Sequence, residues 1–372
     1  MNIDNLKYRI GITLIKGIGN NIAKNLIAYV GSEEGVFKEK QALLAKIPGI
    51  GEVLSKEIVS QDVLARAEAE MLFIQKNKIK CNYYTDKDYP YRLKECHDSP
   101  IMLYSKGNCD FNNGKFISIV GTRNATDVGR ENCKKFINEL SEFQPNTIIV
   151  SGLAYGVDIC AHKAALDAGL PTIGVMGHGL DRLYPASHRP TAVKMLENGA
   201  LLTEYLSGTN PDRPNFVQRN RIIAGMCDAL VVVESAAKGG ALITGEMAND
   251  YNRDTFAFPG RIGDEWSAGC NALIKSNKAA LIESAEDLMR YMSWEKADAK
   301  KELSIQTALF QDLSSDEQNI VAVLRQTVDG IQINELAISL GFPHSKLSSM
   351  LLEMEFKGVV KCAPGSVYRI VK

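Results

Sequence analysis

Hydrophobic residues in the middle of the chain form short continuous runs, and helix-like stretches separate most of them. The runs are rich in β-branched residues, and several end in Gly or Ser. They are FISIVG (116–121), NTIIVSG (146–152), PTIGVMG (171–177), ALLTEY (200–205), ALVVVES (229–235) and DTFAFPG (254–260). Continuous apolar strands that alternate with helices are typical of a parallel sheet covered on both faces. The pattern therefore predicts an α/β core with a doubly wound sheet over residues 86–296.

The N-terminal region has helical periodicity and an internal near-repeat. LIKGIGNNIAKNLI (14–27) and LAKIPGIGEVLSKEI (44–58) each place a G-I-G turn between apolar helical runs, as in a helix-hairpin-helix motif. In that motif the hairpin amides and the N-terminus of the following helix bind a DNA phosphate. Glu52 puts a negative charge directly after the second turn, so a purely structural role is the alternative. We predict a helical domain, helix-hairpin-helix or SAM-like, over residues 1–85.

The C-terminal region predicts a winged-helix domain over residues 313–372, after a linker at 297–312. Its pattern is a helix, two helices around a GFPHS turn, and two short strands around an APGS turn. Such domains often bind duplex DNA through the second helix of the turn pair. Here that helix, HSKLSSMLLEMEFKG (344–358), carries two lysines against two glutamates. Protein contact or autoregulation is therefore an equal alternative to duplex binding.

Composition narrows the functional classes. The 372 residues predict two or three domains, and no apolar run approaches the roughly 18–20 residues of a membrane span. Charges interrupt the N-terminus, unlike a signal peptide, so we expect a cytoplasmic protein without a membrane partner. The eight cysteines form no C-x-x-C pair, and we predict neither a metal nor a cofactor. Because the net charge is −1, DNA would have to bind a local basic patch.

The first candidate contact follows the first predicted strand, in GTRNATDVG (121–129). Gly121, Thr122 and Arg123 come at the carboxyl end of this strand, where ligands bind in open α/β sheets. An arginine offers a planar fork to phosphate oxygens. The spacing is not G-x-G-x-x-G, so the dinucleotide fingerprint is absent. We predict a phosphate contact by Arg123, with a surface arginine in a turn as the alternative.

The next strand leads into SGLAYGVDICAH (151–162), which resembles an active site. Ser151 and Gly152 could present a hydroxyl and bare amides to a phosphate, while Asp158 and His162 stand four residues apart. The stretch has no nucleophile elbow, no second paired carboxylate and no metal-ligand spacing. We therefore predict that Asp158 and His162 hold the turn in shape and that there is no catalytic residue here.

Three further stretches contain basic or glycine-rich candidates for contact with a sugar–phosphate backbone. QRNRIIAG (218–225) has two arginines around an amide, LYPASHRPTAVK (183–194) is basic, and KGGALITGEMA (238–248) has a glycine turn before a helix. An ion-pair lock between sheet and loop is the alternative for the first stretch. The candidates are Arg219, Asn220, Arg221, His188, Arg189, Lys194, Gly239 and Gly240.

Together these motifs resemble the DNA-processing protein A (DprA, also called Smf) family. The matching stretches include IVGTRNAT, VSGLAYGVDICAHKAAL, GHGLDRLYP, FVQRNRIIAG and VVVESAAKGGALITGEMA. The resemblance implies an extended Rossmann-like sheet without a known cofactor and a recombination mediator rather than an enzyme. Family members bind and protect single-stranded DNA, load the RecA recombinase during natural transformation, and dimerise to do so.

The resemblance also implies site residues. The family uses the Arg of its G-[ST]-R turn, here Arg123, and a basic residue shortly after Y-P, here within His188–Lys194. Gly239 and Ala241 stand where the family usually has Ser, which argues against hydroxyl contacts in that turn. We predict a homodimer, with the sheet edge near GCNALIKSNKAALI (269–282) as its hypothetical interface.

Two other functions remain open at this point. A nucleotide or nucleoside-phosphate hydrolase could use a similar Rossmann-like core, although the spacing G-G-x-G-T-x-x-E is broken at residues 238–248. A duplex-binding regulator could act through the winged helix.

Overall fold

The computed structural model describes residues 3–295, 313–324, 330–357, 359–363 and 366–370. The chain divides into two compact units, Met1–Lys296 and Ala297–Lys372. The predicted helical domain and the sheet domain both lie in the first unit, so their division at residue 85 stays a proposal. The predicted linker, 297–312, lies outside the described residues. No helix in the described ranges is long and apolar enough to cross a membrane.

The first unit begins with helices that surround buried isoleucines and leucines such as Ile10, Leu26 and Ile58. The predicted G-I-G turns connect α1 to α2 and α4 to α5. Gly17 and Gly49 adopt φ values of 80° and 86°, which favour glycine. The helices are α1 (Ile3–Leu14), α2 (Asn20–Val30), α3 (Glu33–Lys38), α4 (Gln41–Leu44), α5 (Gly51–Ser60) and α6 (Leu64–Asn77).

A nine-stranded sheet follows, in the order β1-β2-β6-β5-β4-β3-β7-β8-β9. The pairs β1–β2 and β2–β6 are antiparallel, and the other neighbours are parallel. Each of the six predicted runs contains a strand, so the predicted doubly wound sheet is confirmed. The strands are β1 (Lys80–Tyr83), β2 (Met102–Asn108), β3 (Lys115–Val120), β4 (Thr147–Ser151), β5 (Thr172–Val175), β6 (Gly199–Thr203), β7 (Ala229–Val232), β8 (Asp254–Ala257) and β9 (Ala280–Leu281).

Helices cover both faces of the sheet, which explains why its central strands are apolar throughout. α8, α9 and α14 pack on one face, and α7, α11, α12 and α13 pack on the other. The helices of this part of the chain are α7 (Tyr91–Lys94), α8 (Asp127–Phe143), α9 (Val157–Asp167), α10 (Arg189–Met195), α11 (Arg213–Gly225), α12 (Gly240–Asp250), α13 (Ala268–Lys275) and α14 (Ala285–Tyr291), of which α10 packs in a separate cluster with Leu153 and Met176.

The strand order reverses at β3, which pairs with β4 on one side and β7 on the other. The loops after β3 and β7 therefore diverge, and they leave a crevice at the carboxyl ends of the strands.

The second unit has the winged-helix pattern that the sequence predicts. Its strands form an antiparallel sheet in the order β10-β12-β11, over a core that includes Leu336, Leu347 and Leu351. Lys346 of its third helix pairs with Asp316 at 2.6 Å, and Lys357, directly after that helix, pairs with Glu317 at 2.7 Å. The elements are α15 (Ser315–Leu324), β10 (Ile331–Gln332), α16 (Ile333–Leu340), α17 (His344–Phe356), β11 (Val360–Ala363) and β12 (Val367–Ile370).

Candidate nucleic-acid interface

A cleft of about 850 Å³ lies where the strand order reverses. Its walls are the loops after β3, β4 and β7 and the first turns of α11 and α12. This volume lies within the roughly 300–1,000 Å³ of ligand sites. The sequence-predicted residues that line the cleft are Gly121, Thr122, Arg123, Asp158, Arg219, Asn220, Gly239 and Gly240.

The loop after β3 presents Arg123 to the cleft. The Thr122 amide donates to the Glu234 carbonyl at 2.8 Å, and the Thr122 carbonyl accepts from the Val157 amide at 3.1 Å. A Cβ at Gly121 would lie 2.4 Å from Val157 Cγ2, so only glycine fits. The Arg123 side chain is exposed, and it forms no ion pair with any described acidic residue. The loop is thus fixed by its backbone while its guanidinium stays available to a ligand.

The loop after β4 is held by Asp158. One carboxylate oxygen, Oδ2, accepts from the Gly152 amide at 3.1 Å and from the Ala154 amide at 3.3 Å. The fully buried Ser151 hydroxyl donates to the Ile119 carbonyl at 2.7 Å. These groups are occupied within the protein. We therefore correct the expectation for Ser151 and for the Gly152 amide: they shape the loop and are not free to meet a phosphate.

Two histidines complete the support of this loop at Leu153, whose φ of 55° is unusual for leucine. His162 Nε2 accepts from the Leu153 amide at 3.3 Å, and His188 Nδ1 donates to the Leu153 carbonyl at 2.9 Å. His162 Nδ1 lies 2.7 Å from the Thr172 hydroxyl, which donates to the Ile149 carbonyl. Because its own proton goes to Ile149, the Thr172 hydroxyl must accept the proton on His162 Nδ1. With a proton on Nδ1 and none on Nε2, the imidazole is neutral.

Burial lowers the pKa of His162 to about 3, with smaller contributions from the charges of His188 and Arg219. The imidazole is therefore neutral near pH 7 and serves as a fixed hydrogen-bonding group. This geometry agrees with the predicted structural role of the Asp158–His162 pair. It also corrects the expectation for His188, which is 7% exposed and anchors the loop instead of reaching into the cleft.

Arg219 is buried in the floor of the cleft, with 3% of its surface exposed. Its Nη1 donates to the Gly152 carbonyl at 2.8 Å and to the Val175 carbonyl. Burial lowers the pKa of Arg219 to about 10, which the charge of Asp158 opposes. Burial likewise raises the pKa of Asp158, and the charge of Arg219 opposes that shift. Arg219 and Asp158 therefore compensate each other, and Arg219 braces two strand-end loops.

Arg221 turns away from the cleft. Its guanidinium donates to the Asp98 carbonyl at 2.8 Å and pairs with the buried carboxylate of Glu204. This is the ion-pair lock that the sequence left open, so we correct the expectation that Arg221 contacts DNA in this cleft. Between the two arginines, the half-buried Asn220 lines the cleft, and its Oδ1 accepts from Arg219 Nε at 3.2 Å.

The glycine turn before α12 opens onto the cleft. Gly239 is the N-cap residue, and no side chain among the described residues caps the helix. A Cβ at Gly240 would meet only Asn220 Nδ2, at 3.9 Å. The first amides of α12 are therefore accessible to an anion. Arg189 and Lys194, in contrast, are exposed on α10 and do not line the cleft.

Sequence reasoning missed several cleft residues. Arg213 and Lys238 are exposed cations that form no ion pair with a described residue. Phe216 is half-buried, its ring centroid lies 5.8 Å from that of Tyr184, and Trp266 also lines the cleft. Phe216 could have been found from its spacing, because it stands one helical turn before Arg219 and therefore lies on the same face of the helix. Exposed cations beside aromatic rings are the usual surface for unpaired nucleotides.

The comparison with known proteins identifies the family. Residues 80–293 match the family model described as DNA recombination-mediator protein A, and residues 306–366 match the DprA winged helix domain. The chain belongs to the DNA recombination-mediator protein A family. The predicted resemblance is confirmed.

Relatives share most of the chain. Protein Smf of Synechocystis sp. is 28% identical over 97% of this chain and 98% of its own length. DNA processing protein DprA of Streptococcus pneumoniae is 40% identical over 55% of this chain and 71% of its own.

Two solved structures are similar. DprA from S. pneumoniae has a TM-score of 0.66 and 33% identity, with 76% of this chain and 97% of that chain covered. The second is DNA processing protein A from Helicobacter pylori, a structure that describes its single-stranded DNA binding mode. It has a TM-score of 0.52 and 25% identity, with 58% of this chain and 96% of that chain covered.

Proposed function

We propose that this protein binds single-stranded DNA in the cleft as a recombination mediator, protects incoming strands and helps to load RecA during natural transformation. The observation that carries the proposal is the set of three exposed cations, Arg123, Arg213 and Lys238, beside the aromatic rings of the cleft. The cations suit phosphates, and the rings suit unpaired bases, which every sequence can stack. Family membership and the H. pylori relative support the same assignment.

The proposal favours single strands over duplexes. Bases can stack on Phe216 or Tyr184 only when they are unpaired and splayed out. In the winged-helix unit, Lys346 of α17 and Lys357 at its end are already paired with acidic residues of α15. This pairing reduces the positive charge that α17 could offer to duplex phosphates.

A nucleotide hydrolase is the second candidate, because the accessible start of α12 in a Rossmann-like crevice suits a nucleotide phosphate. Against it, one carboxylate oxygen of Asp158 and both ring nitrogens of His162 are occupied within the protein. Within the described ranges, no group of three His, Cys, Asp or Glu residues could hold a metal ion. We therefore favour a binding protein over an enzyme.

Three further features belong to the proposal through the family. They are RecA as partner, a homodimer as the active assembly, and a cytoplasmic location. RecA loading requires the protein and the recombinase to meet on the same strand, so the exposed residues of the cleft must be reachable by DNA in the assembly.

The experiment is a direct comparison of ligands. Fluorescence anisotropy with labelled oligo-dT and with duplex DNA of the same length measures the preference, and nucleoside monophosphates with base-release detection test the hydrolase. We expect tighter binding to oligo-dT and no base release. Stronger duplex binding, or release of base by the purified protein, would refute the proposal.

A further inference from the structure

A second cavity, of about 830 Å³, adjoins the cleft within the first unit. The start of α2, the first turns of α11 and part of α12 form its walls. We call this cavity the α2–α11 groove. Its lining includes Asn21, Ile22, Val217, Gln218 and Met247.

The groove and the cleft share one wall. Arg213 and Val217, on the first turns of α11, line both cavities. Arg213 is exposed and forms no ion pair with a described residue. A strand that leaves the cleft over α11 therefore passes the Arg213 guanidinium at the wall that both cavities share.

The lining of the groove suits a base better than a phosphate. Ile22, Val217 and Met247 offer an apolar surface to a ring face, while Asn21 and Gln218 are exposed polar groups. The carboxylate of Asp98 argues against a phosphate in the groove itself. Asp98 lines the groove, with one oxygen bound to the Tyr251 hydroxyl at 2.6 Å. Arg221 also lines it, but its guanidinium is already paired with the carboxylate of Glu204. A carboxylate repels phosphate, but it accepts from the N–H groups of bases.

We propose that the α2–α11 groove is a second binding subsite that receives further nucleotides of the strand held in the cleft. Arg213 takes the phosphate between the two cavities, and the groove takes bases. The inference rests on the proposed function, because it needs a single strand in the cleft. It gives the first turn of α2, within the first helix-hairpin-helix-like repeat, a place along the DNA path.

The test uses oligo-dT of about 6 and about 16 nucleotides, within or near the range of site sizes of single-strand-binding modules. The variant is Asn21→Asp with Gln218→Glu, which puts two negative charges into the groove without changing side-chain size. Both positions are exposed, and Asp near the N-terminus of α2 favours the helix. The matched control is Asn138→Asp with Gln75→Glu, two exposed positions outside both cavities.

We expect the groove variant to bind the longer oligonucleotide at least about tenfold more weakly, because like charges across an interface are unfavourable. Its affinity for the shorter oligonucleotide and both affinities of the control should equal those of the wild type. Wild-type affinity of the groove variant for the longer strand would overturn the inference, as would equal losses for both lengths. If the double variant does not fold, Gln218→Glu alone gives the same comparison.

An Arg123→Glu variant measured in parallel distinguishes a failure of the groove inference from a failure of the proposed function. If Arg123→Glu lowers the affinity for both oligonucleotides while the groove variant lowers neither affinity, the groove inference fails and the proposed function stands. If Arg123→Glu changes nothing, the proposed function fails, and the groove loses its basis with it.

Discussion

Phe216 gives a direct test of base stacking in the cleft. Its ring lies 5.8 Å from Tyr184, 5.9 Å from the Arg123 guanidinium carbon and 5.8 Å from that of Arg219, all measured to ring centroids. Phe216→Leu keeps an apolar side chain over Gly177 but removes the π-face. Base–aromatic stacking contributes about 1–3 kcal/mol per base, so the Kd for oligo-dT should rise by about 5- to 150-fold.

The salt dependence of binding distinguishes this loss from a lost ion pair. Each phosphate neutralised on a single strand contributes about 0.7 to the slope of log K against log salt. Phe216→Leu removes no charge, so its slope should match the wild type while the affinity is lower at every salt concentration. Anisotropy titrations over a salt series measure both quantities, and Phe216→Tyr is the control that retains a ring. Wild-type affinity of Phe216→Leu would refute the stacking argument.

Three other outcomes follow. His162 has a pKa of about 3 in the fold against about 6.5 unfolded, so its contribution is complete above 6.5 and is lost as the pH falls toward 3. The loss of this contribution should lower the free energy of unfolding by about 2 kcal/mol at about pH 5. Chemical denaturation should therefore show a weaker dependence of stability on acid pH in His162→Gln than in the wild type. Asp158→Ala leaves the Gly152 and Ala154 amides without their acceptor and removes a charge that offsets the burial of Arg219. We expect stability to fall by about 1–3 kcal/mol for each unsatisfied amide; a fully stable variant would contradict the role of Asp158 in holding the loop. Deleting residues 313–372 should leave oligo-dT affinity within about twofold, and a large loss would favour the winged-helix regulator.

Most of the fold could be predicted from the sequence because the apolar runs are unambiguous. Each central strand is buried on both faces, so β3, β4 and β7 appear as continuous hydrophobic stretches. Because ligands bind at the carboxyl ends of the strands in open α/β sheets, the positions of the cleft and of Arg123 could also be predicted. The helix-hairpin-helix-like turns were visible for a similar reason, since Gly17 and Gly49 occupy positions where the backbone needs positive φ.

Side-chain direction was the part that the pattern could not supply. The sequence pattern predicts a DNA contact for both Arg219 and Arg221, but they lie two residues apart on α11 and therefore point to opposite sides. Ser151 and His188 are polar residues of the expected kind, yet buried carbonyls occupy them. Such partners come from distant parts of the chain, so burial can be assigned only in three dimensions.

The central claim is that the cleft binds single-stranded DNA through Arg123. Its exposed guanidinium should form charge-assisted bonds to a phosphate worth about 1.5–3 kcal/mol, which is about 10- to 150-fold in Kd. The decisive measurement is oligo-dT affinity of folded Arg123→Glu beside Lys134→Glu, an exposed lysine of α8 outside the cleft. The account predicts a loss of at least about tenfold for Arg123→Glu, with a shallower salt slope, and little change for Lys134→Glu. Near-wild-type binding by folded Arg123→Glu would contradict it.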